Sequence, residues 1–393
     1  MKKNLILLPI LLGFFVMGFS DIISTTMLRI KEECRLSEVM AGALPMMIFV
    51  WFLLISIPTG VLCGRIGRKN TVLSALFLTV AAMLLPFAAN AERFWIYFLS
   101  FALIGIGNTM LQAALPALMS NVVSPDQLTS RISLGQAVKA VCAWVTPLIA
   151  LAASKLMGNW KYMFLVYGGV TFAVGLCLLF ARIPRERVEG PRASFRSSLA
   201  LLANPYILAM AVGIVFAVGA DVGFDLLVPE YLKNVFRVET DLAATGSTVY
   251  FFAKMAGTFL GAILFAYVAP AKCFPWAAGL AVAATVAQYF APTPVVFLAL
   301  VFVASLGLSN LFGMCMGLAI DRLPAKANEI AALMVMAIVG GGLASLAKGW
   351  VQSVLSAHGI VIVPLVCLVY LLGLGLFAAR RCSSSTSINS AKS

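Results

Sequence analysis

"RIPRERVEGPRASFRSSLALLA" runs from Arg182 to Ala203 and carries five arginines and two prolines in its first fifteen residues. Almost everything around it is apolar. Of 393 residues, 62% are hydrophobic and 11% charged, with a mean hydropathy of +1.01, whereas a soluble domain is roughly 25% charged. Apolar runs of about 20 residues, enough to cross a hydrocarbon core of roughly 30 Å, recur on both sides of it. They are read as spans at 4–27, 41–63, 71–90, 94–119, 131–155, 162–182, 204–232, 244–268, 273–291, 294–320, 329–356 and 359–379. Six spans precede the arginine-rich stretch and six follow it. The sequence thus predicts an all-α membrane protein with twelve transmembrane helices. A six-helix bundle occupies 1–182, a cytoplasmic linker 183–203, a second six-helix bundle 204–381, and a polar, disordered cytoplasmic tail 382–393. Lys2 and Lys3 before an apolar run imitate a signal peptide, but the run is too long and no small-residue cleavage site follows. It is read as an uncleaved first span.

A net charge of +13 raises the question of a nucleic-acid partner. With both termini inside, 17 of the 28 Lys and Arg fall on the cytoplasmic side and eight outside. That is the positive-inside asymmetry, and it accounts for the basic balance without nucleic acid. Three cations, Lys139, Lys254 and Lys348, are left within spans. The eight cysteines show no CxxC or other metal spacing, so they read as small apolar groups with no metal or cofactor role. The single histidine, His358, reads as a loop residue. No GxxxxGK[ST] loop is present, so ATP is excluded as the energy source.

The halves echo one another at an offset near 200. "GIGN" at 105–108 faces "GLSN" at 307–310, and "MGFSD" ending at Asp21 faces "VGAD" ending at Asp221. With the six-plus-six count, this argues for a duplicated bundle with its binding site at the interface of the halves. The loop after the second span, "GVLCGRIGRK" (60–69), follows a pattern of Gly, three residues, an acid, Arg, any residue, Gly, Arg, Lys. It resembles the signature of the major facilitator superfamily, which implies two six-helix bundles with inverted repeats. Gly60, Arg65, Gly67, Arg68 and Lys69 then resemble its cytoplasmic gate, which latches the halves. Gly64 stands where the acid is expected, leaving the latch without its usual internal partner.

Charges inside a membrane are costly and mark functional candidates. Gln136 and Lys139 are three apart and share a helical face, extended by Ser133; Asn108 and Gln112 are four apart on span 4. Asp21 lies about two-thirds along span 1. If these faces converge, spans 1, 4 and 5 line a polar cavity. In the second half, Asp221 and Asp225 share a face of span 7, Asn310 lies in span 10 and Lys348 in span 11. Lys254 and Glu230 are read closer to the outer surface, as snorkelling or gating charges. Asn108 and Asn310 read equally well as bonds between helices.

Through most of its length the chain resembles the fucose/galactose/glucose:proton symporter branch. "LQAALPALMSNVVSP" (111–125) is similar to its Leu-Glu-Thr-Ala-Ala-Asn-Pro segment, "RISLGQAVKAV" (131–141) to the following span, and "LMVMAIVGGGLASLAKG" (333–349) to its eleventh span. The resemblance puts the proton-titrating aspartate at Asp21 and a span 5 glutamine at Gln136. It breaks at Gln112, where the family has a glutamate, and at Lys139, where it has a sugar-binding asparagine. Both departures make the cavity more positive. Lys139 therefore requires a carboxylate partner, with Asp21 nearest and Asp221 or Asp225 as alternatives across the interface, or an anionic substrate. The resemblance implies a monomeric transporter of the bacterial inner membrane, not an enzyme. It would import a monosaccharide or sugar derivative with protons by alternating access, with Asn108, Gln112, Ser133, Gln136, Lys139, Asp221, Asp225 and Asn310 as substrate contacts. The alternative is a sugar-acid or organic-anion symporter using Lys139. Drug efflux ranks lower, because span 5 offers only Pro147 in place of a glycine-flanked Gly-Pro pair; a non-transporting sensor is the remaining reading.

Overall fold

The computed structural model describes residues 2–89, 93–123, 125–183, 195–265, 267–323, 326–355 and 357–390. Among them every regular element is helical. Contacts divide the chain into two units: residues 1–193 with 239–248, and 194–238 with 249–393.

The first unit contains α1 (Lys2–Met17), α2 (Ile23–Cys34), α3 (Glu38–Ile66), α4 (Arg68–Leu84), α5 (Trp95–Met119), α6 (Pro125–Met157) and α7 (Tyr162–Phe180). The second contains α8 (Phe195–Ala200), α9 (Pro205–Asn234), α11 (Ser247–Leu264), α12 (Pro270–Tyr289), α13 (Pro294–Leu308), α14 (Leu311–Arg322), α15 (Ala327–Met336), α16 (Gly340–Leu355) and α17 (Ile362–Ser390). The short α10 (Thr240–Ala244) and the first two residues of α11 belong to the first unit.

Local chemistry sets the helix starts. Ser37 caps α3 by accepting from Met40 N at 3.3 Å, and Asn204 caps α9 by accepting from Tyr206 N at 2.9 Å, with Pro205 next in line. Gly67 ends α3 and begins α4 at φ +90°, a conformation that penalises any Cβ. Packing then relies on small residues, as expected where lipid supplies no hydrophobic drive between helices. A Cβ on Gly105 would lie 2.6 Å from the Ile48 backbone, one on Gly307 2.5 Å from Ala277 O, and one on Gly340 against Val215 O.

Each of the twelve expected spans falls on a helix or a broken helical pair. Among the described residues, nine helices are long and apolar enough to cross a membrane, and the bent pair 7–21 and 25–34 makes ten. The expected spans 8 and 9 fall on α11 and α12, which are helical but outside that set. Three spans are broken: the first at a 3-10 turn, Gly18–Ile22, the tenth at Ser309 and Asn310, and the eleventh at Ala337–Val339. The linker and the tail both carry regular structure. The linker is helical in its later part (α8 and a 3-10 turn at Leu201–Ala203), while 184–194 lie outside the described residues. The tail expected to be disordered continues α17 to Ser390, because "RCSSSTSINS" holds neither glycine nor proline to stop a helix.

Candidate functional site

Asp21 lies in the 3-10 turn that interrupts the first span, where the flanking helices meet at 40°. Such a break frees backbone groups at membrane depth, the usual place for a transporter site. The turn is held against α6 by Gly18, on which a Cβ would lie 2.6 Å from Cys142 Cβ and 2.7 Å from Lys139 O. The charges of Asp21 and Lys139 both act on the Cys142 thiol, one helical turn beyond Lys139. The structure therefore brings Asp21 and Lys139 to one place in the first unit. Beside them, Ser20 Oγ lies 2.8 Å from Met17 O and 3.5 Å from Asp21 Oδ1.

Gln112, Gln136 and Lys139 are half-buried and, among the described residues, none of their side chains makes a hydrogen bond or ion pair. Asn108 is 7% exposed, and its Oδ1 likewise has no hydrogen-bond partner among the described residues. Ser133 lies on α6, but its side chain is outside those described.

The second unit treats its polar groups differently. Asp221 accepts from Lys254 Nζ at 2.6 Å and from the Tyr250 hydroxyl, so its carboxylate is engaged within its own unit and Lys254 is the cation of an ion pair. Asp225, one turn on, is 6% exposed. Glu230 and Lys348 form a buried pair at 3.0 Å, 0% and 2% exposed, and Gln352 and Asn234 donate to Glu230 Oε2 at 2.7 and 3.1 Å. Glu230 is thus a buried, ion-paired carboxylate and does not snorkel. Asn310 Nδ2 donates to Gly257 O at 2.8 Å, tying the break between α13 and α14 to α11; of the two readings offered for it, the helix-to-helix bond is the observed one.

Arg68 and Lys69 of the motif at 60–69 work as helix caps. Arg68 Nη1 donates to Ala117 O and Ser120 Oγ, both at 2.9 Å, and to Asn121 at the end of α5; Lys69 Nζ donates to Leu179 O and Ala181 O at the end of α7. Cations placed on carbonyls at helix C-termini answer both the orphan acceptors and the macrodipole. Arg65 is exposed, and a Cβ on Gly60 would meet nothing within 4 Å.

One cluster escaped the sequence reading. Arg29, 5% exposed, donates to Asp241 Oδ1 through Nε (3.1 Å) and Nη2 (2.8 Å) and to Thr25 O, while Ser154 Oγ donates to Asp241 Oδ2 at 2.6 Å. Burial alone would raise the Asp241 carboxyl, but the hydrogen bonds from Ser154 and Arg29 and the charges of Arg29 and Lys155 outweigh it and hold it below the usual carboxylate value. Arg29 and Asp241 are 212 residues apart, and no local pattern links them.

Comparison with known proteins agrees with this architecture. The Major Facilitator Superfamily family model matches residues 10–346. A glucose/galactose transporter of Brucella abortus is 23% identical over 387 residues, covering 93% of this chain and 92% of that protein. Among solved structures, the fucose:proton symporter of E. coli superposes with a TM-score of 0.68 at 18% identity, covering 95% of this chain and 98% of that one. A bacterial homolog of the human lysosomal transporter spinster superposes with a TM-score of 0.76 at 17% identity, covering 95% and 96%. At these identities the structural likenesses speak to the fold.

Proposed function

This chain belongs to the major facilitator superfamily, and from that premise we propose that it imports a monosaccharide or sugar derivative together with protons, by alternating access. The observation that carries the reading is the contrast between the two units. In the second, Lys254 is paired with Asp221 and Lys348 with Glu230, whereas in the first Gln112, Gln136 and Lys139 are half-buried with no hydrogen bond or ion pair among the described residues, and Lys139 lies near Asp21 at the break in the first span. A sugar needs amide and hydroxyl partners of that kind. A group left unpaired at membrane depth is expensive unless a ligand or water meets it. The name of the Brucella relative supports a hexose, and that of the E. coli structure supports proton coupling, for which Asp21 is the carboxylate. The cytoplasmic membrane of a bacterium, with both termini inside, suits the 17-to-eight distribution of Lys and Arg.

Lys139 favours a second form of the same reading. A half-buried ammonium without an ion pair among the described residues suits a sugar acid or another organic anion. Uptake into proteoliposomes with and without a pH gradient tests the first reading: Asp21→Asn abolishes accumulation and spares counterflow, which needs no net proton movement. Wild-type accumulation by that variant would refute the assignment of Asp21. Screening neutral sugars against sugar acids for thermal stabilisation separates the two forms. For an acid substrate, Lys139→Asn removes about 2–5 kcal/mol of binding; for a neutral one it leaves binding in place and moves the pH at which transport falls off upward.

A further inference from the structure

Asn108 does not behave like its neighbours Gln112 and Gln136. It faces a cleft of ≈ 10 Å³ lined by Met17, Ser20, Thr79, Met83, Leu111 and Asn108 itself, among others. That is about the volume one water needs and far below that of a sugar. Ser20 and Thr79 supply further polar atoms, and each already gives its hydroxyl proton to a backbone carbonyl, Met17 O and Ala75 O respectively. Both oxygens can therefore still accept. Asn108 Oδ1 is a buried acceptor that no residue satisfies. Gly107 brings α5 close enough to α4 to put Thr79 there, since a Cβ on Gly107 would strike Thr79 Oγ1.

Resting on the proton-symport reading, we propose that the cleft is a binding site for a single structural water, which donates to Asn108 Oδ1 and to Ser20 Oγ and serves as the proton relay to Asp21. A proton reaching this water from the medium leaves through Ser20: the water gives a proton to Ser20 Oγ as the Ser20 O–H passes its own to Asp21 Oδ1, 3.5 Å away. The relay ends with a neutral Asp21 carboxyl and with the water and hydroxyl restored. Asn108 is then a positioning residue, and the water explains why a buried amide is tolerated on this face. The ionisable groups about the turn include Lys139 and Cys142 from α6 and Tyr167 from α7, which stacks on Phe19 at 4.3 Å and in turn feels the charge of Arg29 on α2, itself paired with Asp241.

Infrared difference spectra of the full-length protein in liposomes, recorded across a pH step in ordinary and heavy-oxygen water, test the site directly. The wild type should show a water O–H band that shifts with the isotope; Asn108→Leu, of similar volume but apolar, should lose it, and Asn108→Ser should keep it. Uptake by Asn108→Leu should reach its pH midpoint about one unit higher, a tenfold change in the protonation equilibrium, with Asn108→Ser closer to the wild type. If Asn108→Leu does not fold, Thr79→Val takes its place and should weaken the same band. The proposal is overturned if the wild type has no such band, if the band survives Asn108→Leu or is undiminished in Thr79→Val, or if Asn108→Leu loses counterflow as fully as accumulation without a shift in pH profile, which would make Asn108 a sugar contact. Wild-type uptake indifferent to a pH gradient would instead sink the symport reading, and the band would still decide the water site.

Discussion

Replacing Lys348 by methionine leaves Glu230, which is wholly buried, without its ammonium and with the amides of Gln352 and Asn234 among its remaining partners. Two amide donors at 2.7 and 3.1 Å cannot replace an ammonium at 3.0 Å in a setting from which water is excluded. Breaking one side of such a pair costs about 3–5 kcal/mol, whereas removing both charges together is often neutral. The double variant Glu230→Gln, Lys348→Met keeps a carbonyl that can accept from Gln352 and fills the Lys348 volume with an apolar chain. At about 2–4 °C per kcal/mol for a unit of this size, Lys348→Met should lower the unfolding midpoint by roughly 6–20 °C, and the double variant should return to within about 4 °C of the wild type. Tryptophan fluorescence of purified protein in detergent reads the midpoint, at one protein concentration and one scan rate because such unfolding is commonly irreversible. A single variant within about 2 °C of the wild type, or a double variant as destabilised as the two singles added together, would refute the reasoning.

Three further outcomes are expected. Gly340→Ala drives a Cβ into Val215 O on the facing helix, where backbone cannot yield as a side chain would, and should cost about 1–3 kcal/mol of stability, read as a fall in unfolding midpoint. Asp241→Asn removes an acceptor shared by Arg29 and Ser154 and should cost about 1.5–3 kcal/mol near neutral pH. Because the folded Asp241 carboxyl sits below its ordinary value of 3.8, this stability is fully present above that value and lost as pH falls through the folded one; unfolding midpoints of the two proteins should converge in acid below the usual carboxylate range. Replacing Arg65 and Arg68 together removes the caps on the end of α5 and should slow transport while leaving equilibrium ligand binding within a few-fold; binding lost from a folded double variant would contradict the placement of this loop away from the site.

Periodic hydropathy, the arginine-rich break at 182–203 and the glycines of "GVLCGRIGRK" determined the helical, twelve-span, two-bundle reading, because span length and charge asymmetry are one-dimensional properties imposed by the bilayer. The candidates on spans 1, 4 and 5 were legible for the same reason: an ionisable or amide side chain in an apolar run is conspicuous wherever it sits. Their partners were not. Nothing in the sequence says that Lys348 meets Glu230, 118 positions back in the chain, or that Lys254 meets Asp221. Ion pairing inside a membrane is decided by which helices pack and at what rotation, and that follows from small residues such as Gly18, Gly105 and Gly340 meeting particular backbones. The break at Gly18–Ile22 was equally hidden, since its residues read as uninterrupted helix until α6 is packed against them. Tertiary structure alone separated polar groups that bind one another from others, such as Gln112, Gln136 and Lys139, whose side chains make no hydrogen bond or ion pair among the described residues.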